Sequence, residues 1–358
     1  MRRFAVFFAA ALVSGAVLPP MSALAAGPST KTVRDWSAAC DNVNACAAFG
    51  FATDTPEEVF GAWLRVSRSG DAAAPATVSV GVTLASGDTP ETATVALSFD
   101  DASLALPSGP PLRLIPLDDP SLGVDLSPGL GDAVLAGLRK AKGLRLTLSV
   151  GGAPVEATIS LDGATATLLW LDEQQGRLGT VTALVRRGDK PASAVPPVPP
   201  LPVIVRGTPS DKPPPATLPA ALRKGLPADC DESGAHLDPI IARIDASHVL
   251  YGVGCNSGAY NFAYALFVSE NGGRAVPVAL RAPVATRVPP DVLVNPDFDD
   301  KSLILQFFTK GRGLGDCGSA GFYVWDGAGF RLAEYTTMDQ CYGALSESWP
   351  SLWRATVQ

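Results

Sequence analysis

Residues 302–332 read SLILQFFTKGRGLGDCGSAGFYVWDGAGFRL, and this stretch decides the fold class of the second half of the chain. The apolar runs 302–308 and 321–325 have the length and the aromatic and branched content of strands. A glycine-rich loop separates them, and Asp326-Gly327 is a typical hairpin turn before a third apolar run. The stretch therefore predicts a meander of short strands.

The loop at 310–319 holds the residues that we predict as a ligand-binding loop, Lys310, Arg312 and Asp316. Glycine-rich loops can direct several backbone N–H groups at an anion. A P-loop places its lysine after the glycines, whereas Lys310 precedes them, and a dinucleotide cradle must open a helix, whereas a strand follows here. Two interpretations remain, a loop for a small anion or sugar acid and a connection pinned by Cys317.

Residues 1–25 have the three parts of a cleavable signal peptide. Arg2 and Arg3 precede the apolar run 4–18, and Ala23-Leu24-Ala25 has the small-x-small pattern of a cleavage site. The run is short for a bilayer, which a helix crosses with about 20 residues. We therefore predict export to the periplasm, with no membrane span after signal cleavage.

Charge argues against one class of partner. The chain has 35 acidic and 28 basic side chains and a formal net charge of −7, which becomes −9 without Arg2 and Arg3. Because an acidic chain repels phosphate backbones, we expect no nucleic-acid partner. No cofactor motif is recognised, so the sequence predicts no cofactor.

Six cysteines in a chain predicted to be exported indicate disulfides: Cys40, Cys46, Cys230, Cys255, Cys317 and Cys341. The first two lie close together and far from the others, so we expect them to pair. The last four allow three connectivities, of which sequence order favours Cys230–Cys255 and Cys317–Cys341. Paired zinc-ligand spacings are absent from the sequence, so we predict no metal site.

A proline-rich connector, residues 189–228, divides the chain. Eleven prolines between Pro191 and Pro219 favour a stiff, extended spacer. Residues 30–188 combine alternating strand patterns with two helical segments, which predicts a β-rich α+β domain. Residues 229–358 predict a small all-β domain stapled by disulfides. The predicted class of the whole chain is α+β and β-rich.

Two segments carry helix signals. Ser127 and Pro128 fit a helix start, and Gly143 fits its end. A second helix is expected from Ala164 to about Gln174.

The search for catalytic residues assigns none. The sequence has no G-x-S-x-G elbow and no S-x-x-K motif, and its two histidines are His236 and His248. His248 begins an apolar strand, where a structural role is the more common one. Adjacent acids lie at predicted element ends, where aspartate commonly bonds its own backbone: Asp100-Asp101, Asp118-Asp119, Asp172-Glu173 and Asp299-Asp300.

Several stretches resemble an exported proteobacterial family known as domain of unknown function 1176. They are DWSAACDNVNAC at 35–46, WLDEQQGRLGTVTAL at 170–184, CNSGAYN at 255–261, KGRGLGDCG at 310–318 with YVWDG at 323–327, and WPSLWR at 349–354. The first half is also weakly similar to the invasion-associated locus B family, through its Trp-to-Cys opening and its cysteine pair. The resemblance implies an exported envelope protein without an established activity, so no functional residue is carried over.

We expect a non-enzymatic binding or interaction protein of the cell envelope, whose partner is an envelope protein or a small ligand. Its binding face would use four aromatic residues, Trp325, Tyr342, Trp349 and Trp353. Two alternatives remain, an envelope hydrolase assembled in space around His248 and a structural adaptor that uses the proline-rich connector. A pocket that holds His248 with a carboxylate in hydrogen-bond reach would favour the hydrolase.

Overall fold

The structure is a computed structural model that describes residues 27–85, 92–117, 120–286 and 292–358. The predicted signal peptide and the acidic pair Asp118-Asp119 lie outside the described residues. No helix within these four ranges is long and apolar enough to cross a membrane.

The first half is built on one antiparallel sheet, which has ten strands within the described residues. Their order across the sheet is β1-β2-β3-β4-β5-β8-β7-β6-β9-β10. The strands are β1 (Ser29–Val33), β2 (Trp36–Cys40), β3 (Cys46–Phe51), β4 (Val59–Arg68), β5 (Thr77–Leu84), β6 (Ala93–Phe99), β7 (Leu112–Pro116), β8 (Ser121–Asp125), β9 (Gly143–Ser149) and β10 (Val155–Ser160).

The prediction of an α+β first domain is wrong, because this sheet supplies the architecture of the whole first half. Helices α1 (Pro128–Gly137) and α2 (Ala164–Gln174) are short additions to it. Helix α1 ends at Gly137, before the predicted stop at Gly143, and Gly143 is instead the first residue of β9. The prediction that the chain is β-rich is confirmed.

The sheet curls around its own apolar face. Ala52, just after β3, forms an antiparallel bridge with Ile159 of β10, which joins distant strands. The buried core on the apolar face of the sheet includes Leu64, Val80 and Leu146. Both helices add to this core, α1 through Val134 and the residue that follows the helix, Leu138, and α2 through Leu168 and Leu171. The curled sheet therefore encloses most of the core itself, and the two short helices only add to it.

A buried polar network fixes the segment after α2 to the sheet. Asp172 accepts hydrogen bonds from Arg68 Nη2 at 2.8 Å and from the N–H groups of Leu184 and Val185, each at 2.9 Å. The fully buried Arg177 donates from Nη1 to the Ala72 carbonyl at 2.8 Å. Burial lowers the pKa of Arg177 to about 10, and the neighbouring Arg68 charge adds to that effect.

The second half contains two five-stranded sheets among the described residues, and they share one apolar core. The first joins β12 (Ile240–Arg243), β13 (His248–Ser257), β14 (Phe262–Glu270), β15 (Val276–Pro277) and β16 (Val292–Val294). The second joins β17 (Asp297–Asp299), β18 (Ile304–Lys310), β19 (Gly318–Trp325), β20 (Phe330–Met338) and β21 (Ser351–Arg354) in chain order. The meander predicted from 302–332 corresponds to β18, β19 and β20.

Part of the proline-rich connector packs on the second half. Its strand β11 (Val203–Ile204) pairs in parallel with the C-terminal strand β22 (Thr356–Val357). The predicted domain boundaries and the adaptor role of the connector stay predictions.

Three disulfides join Cys40 to Cys46, Cys230 to Cys255 and Cys317 to Cys341. These are the pairs that sequence order favours. The bond between Cys317 and Cys341 ties the loop at 310–319 to the segment that follows β20.

The two halves meet in a close contact. A Cβ atom added to Gly61 would lie 2.3 Å from the Tyr342 carbonyl oxygen, so only glycine allows this approach. Gly343, at a φ of +91°, lies against the same glycine. An apolar cluster from both halves seals the contact: Phe49, Phe51, Trp63, Cys317, Met338, Ala344 and Trp349.

Candidate functional site

A cleft of about 860 Å³ lies between the two halves, beside this apolar cluster. One wall is a row of facing residues across β3, β4 and β5, namely Ala47, Ser67 and Thr77. The other wall is the corresponding row across β19, β20 and β21, namely Ala320, Thr336 and Ser351. The side chains of both rows are short, which leaves the space between the two walls open. The serine and threonine hydroxyl groups make both walls polar.

Arg65 lines this cleft from β4, two residues after Trp63 and on the same face of the strand. Its Nε atom is buried and has no hydrogen-bond partner, and Arg65 enters no ion pair with any described residue. Its guanidinium carbon lies 6.0 Å from the centroid of the Trp63 ring. Burial lowers the pKa of Arg65, because a desolvated cation is destabilised.

The neighbouring side chains on β5 and β8 do not neutralise the charge of Arg65. The facing residue on β5 is Ser79, whose hydroxyl donates to Asp125 Oδ1 at 2.5 Å. The negative charge of Asp125 raises the pKa of Arg65, but by less than burial lowers it. Arg65 therefore keeps an unneutralised charge in a partly desolvated position, which is costly without a partner.

The other arginines of the cleft have partners. Arg68 pairs with Asp172 at 2.8 Å, and Arg354 pairs with Asp41 at 2.6 Å. This second pair joins the two halves, since Asp41 follows β2 and Arg354 ends β21. Within the part of the chain that the structure describes, Arg65 is thus the cleft arginine without an ion-pair partner.

Carboxylates lie on the opposite wall. Glu334 extends from β20 on the face that also carries Thr336, and it forms no ion pair with a described residue. Glu347 lines the cleft from the turn between β20 and β21. Among the described residues, the wall of the first half therefore carries Arg65 and the wall of the second half carries Glu334 as charged groups without an ion-pair partner.

The loop at 310–319 uses its charges within the chain. Arg312 pairs with the fully buried Asp316 through Nε at 2.7 Å and Nη2 at 2.5 Å, and Asp316 also accepts the N–H of Gly343 at 2.7 Å. Arg312 lies over the Phe60 ring at 4.8 Å, and Lys310 lies over Phe308 at 5.5 Å. This is the geometry of a pinned connection, and the ligand-binding role of Lys310, Arg312 and Asp316 stays a prediction.

His248 lines a separate cavity of about 540 Å³. Its Nδ1 atom lies 2.8 Å from Asp245 Oδ2, and the Trp325 indole donates to the same oxygen at 2.9 Å. The Nε2 atom of His248 has no hydrogen-bond partner among the described residues. Arg274, Arg281 and Glu270 line the same cavity, so it is a pocket with charges of both signs and an oriented histidine.

Because of Asp245, the stability of the fold around His248 and Trp325 depends on pH. Burial alone would raise its pKa, but hydrogen bonds from the backbone of Ser247 and His248, from the His248 ring and from Trp325 outweigh burial and lower it from 3.8 to about 2. A lowered folded-state pKa means that the ionised form stabilises the fold above about pH 4, and that this contribution is lost as the pH falls through 2.

We therefore expect the stability difference between the wild type and Asp245→Asn to narrow steadily from pH 4 to pH 2. Urea unfolding at a series of pH values measures this difference. A difference that stays constant down to pH 2 would contradict the assigned hydrogen bonds.

The other predicted groups do not meet at one site. His236 is exposed on a loop. Trp325 and Trp349 are buried in different clusters, and Trp353 is half-buried against the cluster of Trp325. Tyr342 is 39% exposed beside Phe51. The four aromatic residues therefore form no shared face. Among the described residues, no group of three potential metal ligands occurs.

Sequence reasoning missed Arg65 and Glu334. Arg65 lies in WLRVS, which the sequence identifies as a strand, and it shares the face of Trp63 and Ser67. That placement of a charge beside a buried tryptophan is the one signal that could have marked it. Glu334 has no such signal, because its role depends on the packing of the two halves.

Comparisons with known proteins give a family and no activity. No solved structure matches the chain. It is 31% identical over 375 residues to the uncharacterised protein YpfG of Escherichia coli (strain K12), with 98% of each chain covered. The profile of a family described as a protein of unknown function, DUF1176, matches residues 30–356. This match confirms the resemblance found in the sequence, and the chain belongs to the DUF1176 family of proteins of unknown function.

Proposed function

We propose that the protein is a non-enzymatic binding protein of the cell envelope and that its cleft holds an anionic group of its ligand against Arg65. The single observation that carries the proposal is the buried, unpaired Nε of Arg65 in a cleft of about 860 Å³. A cavity of this size lies within the range of small-ligand sites, about 300–1,000 Å³.

A half-buried charge without a partner lowers the stability of a fold, and such exceptions to normal packing concentrate at functional sites. A bound carboxylate or phosphate would accept hydrogen bonds from the guanidinium in the geometry that arginine favours. The polar walls of the cleft would then hold the remainder of the ligand.

Export to the periplasm stays a prediction, as does the similarity to the invasion-associated locus B family. The three disulfides support export, since disulfides persist in oxidising compartments.

The experiment is thermal unfolding of the mature chain in millimolar acetate, phosphate or citrate at constant ionic strength. We expect at least one anion to raise the Tm of the wild type and of Arg113→Met, a matched change at an exposed arginine, but not that of Arg65→Met. Equal stabilisation of Arg65→Met would exclude Arg65 as the anion site, and no stabilisation of the wild type would count against the proposal.

A second candidate function is the hydrolase around His248, which the 2.8 Å contact with Asp245 favours. A carboxylate that orients one imidazole nitrogen leaves the other free to accept a proton from water. Release of nitrophenol from p-nitrophenyl esters by the wild type, lost in His248→Gln and retained in His236→Gln, would support this function. Equal rates for all three proteins would reject it.

A further inference from the structure

We propose that the ligand of the cleft is dipolar, with a carboxylate held by Arg65 and a cationic group held by Glu334, as in a short peptide with free termini. This inference rests on the proposed function, because it adds the chemical class of the ligand to the site described above.

The charges of the cleft carry the inference. Two of its ion pairs, Arg68–Asp172 and Arg354–Asp41, are neutral as units. Glu347, which also lines the cleft, has an interaction within the protein. Arg65 on the wall of the first half and Glu334 on the wall of the second have no ion-pair partner among the described residues. Glu334 faces Arg354 across β20 and β21, but the Arg354 guanidinium is bound to Asp41. A simple anion would neutralise Arg65 and leave Glu334 unpaired. A dipolar ligand neutralises both groups at once.

The placement of the two groups on opposite walls follows from strand alternation. Arg65 shares its face of β4 with Ser67, and Glu334 shares its face of β20 with Thr336. A ligand that bridges them must therefore cross the cleft, and it needs a charge at each end.

The walls of the cleft suit a peptide backbone. Ser67 and Thr77 on one wall and Thr336 and Ser351 on the other present hydroxyl groups, which both donate and accept hydrogen bonds. The N–H and C=O groups of a peptide need both kinds of partner when they leave water. The short side chain of Ala320 adds room without selecting large side chains.

The experiment is isothermal titration calorimetry of the mature protein with three probes, tri-alanine, its N-acetyl form and its C-terminal amide. We expect tri-alanine to bind, and each blocked form to bind about ten-fold or more weakly, as loss of a charged hydrogen-bond partner implies. Arg65→Met should bind tri-alanine and its amide equally weakly. Glu334→Gln should no longer distinguish tri-alanine from its N-acetyl form.

Glu58→Gln, a change at an exposed glutamate outside the cleft, is the control and should bind all three probes as the wild type does. Equal binding of tri-alanine and its N-acetyl form would overturn the dipolar ligand but leave the anion site intact. Failure of all three peptides, with anions still stabilising the wild type, would overturn the peptide class alone. Failure of both peptides and anions would overturn the proposed function as well.

Discussion

Replacing Asp172 by alanine should lower the free energy of unfolding by about 3–5 kcal/mol, the usual cost of removing one partner of a buried ion pair. Asp172 is fully buried, and it holds the Arg68 guanidinium and two backbone N–H groups through its two oxygens. Its removal leaves the Arg68 charge without its partner. Arg177, also buried, then loses one of the two carboxylates that offset its charge and keeps only the effect of Asp71.

Urea unfolding followed by circular dichroism measures this loss. The matched control is Glu173→Ala, because the adjacent glutamate is exposed at the end of the same helix. We expect the control to change the free energy of unfolding by no more than about 0.5 kcal/mol. A loss below about 1 kcal/mol for Asp172→Ala would mean that the network does not hold α2 and the following segment in place.

Replacing Asp316 by alanine is the second large expected effect, about 1–3 kcal/mol, because the Arg312 side chain that it leaves behind is 41% exposed and solvent offsets part of the loss. Its carboxylate pairs with Arg312 through two hydrogen bonds and accepts the N–H of Gly343. Gly343 lies against Gly61 of the first half, so the loss should reach the contact between the halves. The Cys317–Cys341 bond limits how far the loop can move, but it cannot replace the lost charge partner.

Urea unfolding measures the stability of Asp316→Ala, and limited proteolysis of the native protein measures access to the loop. Asp300→Ala, at an exposed turn, is the control. We expect faster cleavage near residues 311–319 in Asp316→Ala and wild-type behaviour in the control. Wild-type stability of Asp316→Ala would leave the loop available for the ligand role that the sequence suggests.

The strands with alternating apolar residues were predictable from the sequence. Residues 77–84, 144–149 and 155–160 have this pattern and are strands β5, β9 and β10. Strands β2 and β3, WSAAC and CAAFGF, were missed because alanine and glycine weaken the alternation on both faces. Without β2 and β3, the sequence pattern gives the two helices a larger share of the first half than the structure does, which explains the incorrect α+β prediction.

The candidate site was less predictable than the fold. Composition singled out the loop at 310–319, because glycines and charges together are visible in a sequence. In the structure, Arg312 and Asp316 form an ion pair with each other, whereas Arg65 has no ion-pair partner among the described residues. Whether an arginine has a partner depends on side chains from distant strands, so no local pattern distinguishes Arg65 from the paired Arg68 three residues later.

The most direct test of Arg65 as a ligand-binding residue needs no ligand. It is the free energy of unfolding of Arg65→Met in ligand-free buffer, measured against the wild type and Arg113→Met. If Arg65 is retained for binding, an apolar side chain of similar length should stabilise the fold by about 1–2 kcal/mol, because it removes a half-buried charge without an ion-pair partner, whose Nε is buried and makes no hydrogen bond. A loss of stability of that size would mean that Arg65 supports the fold, and it would contradict its assignment to the binding site.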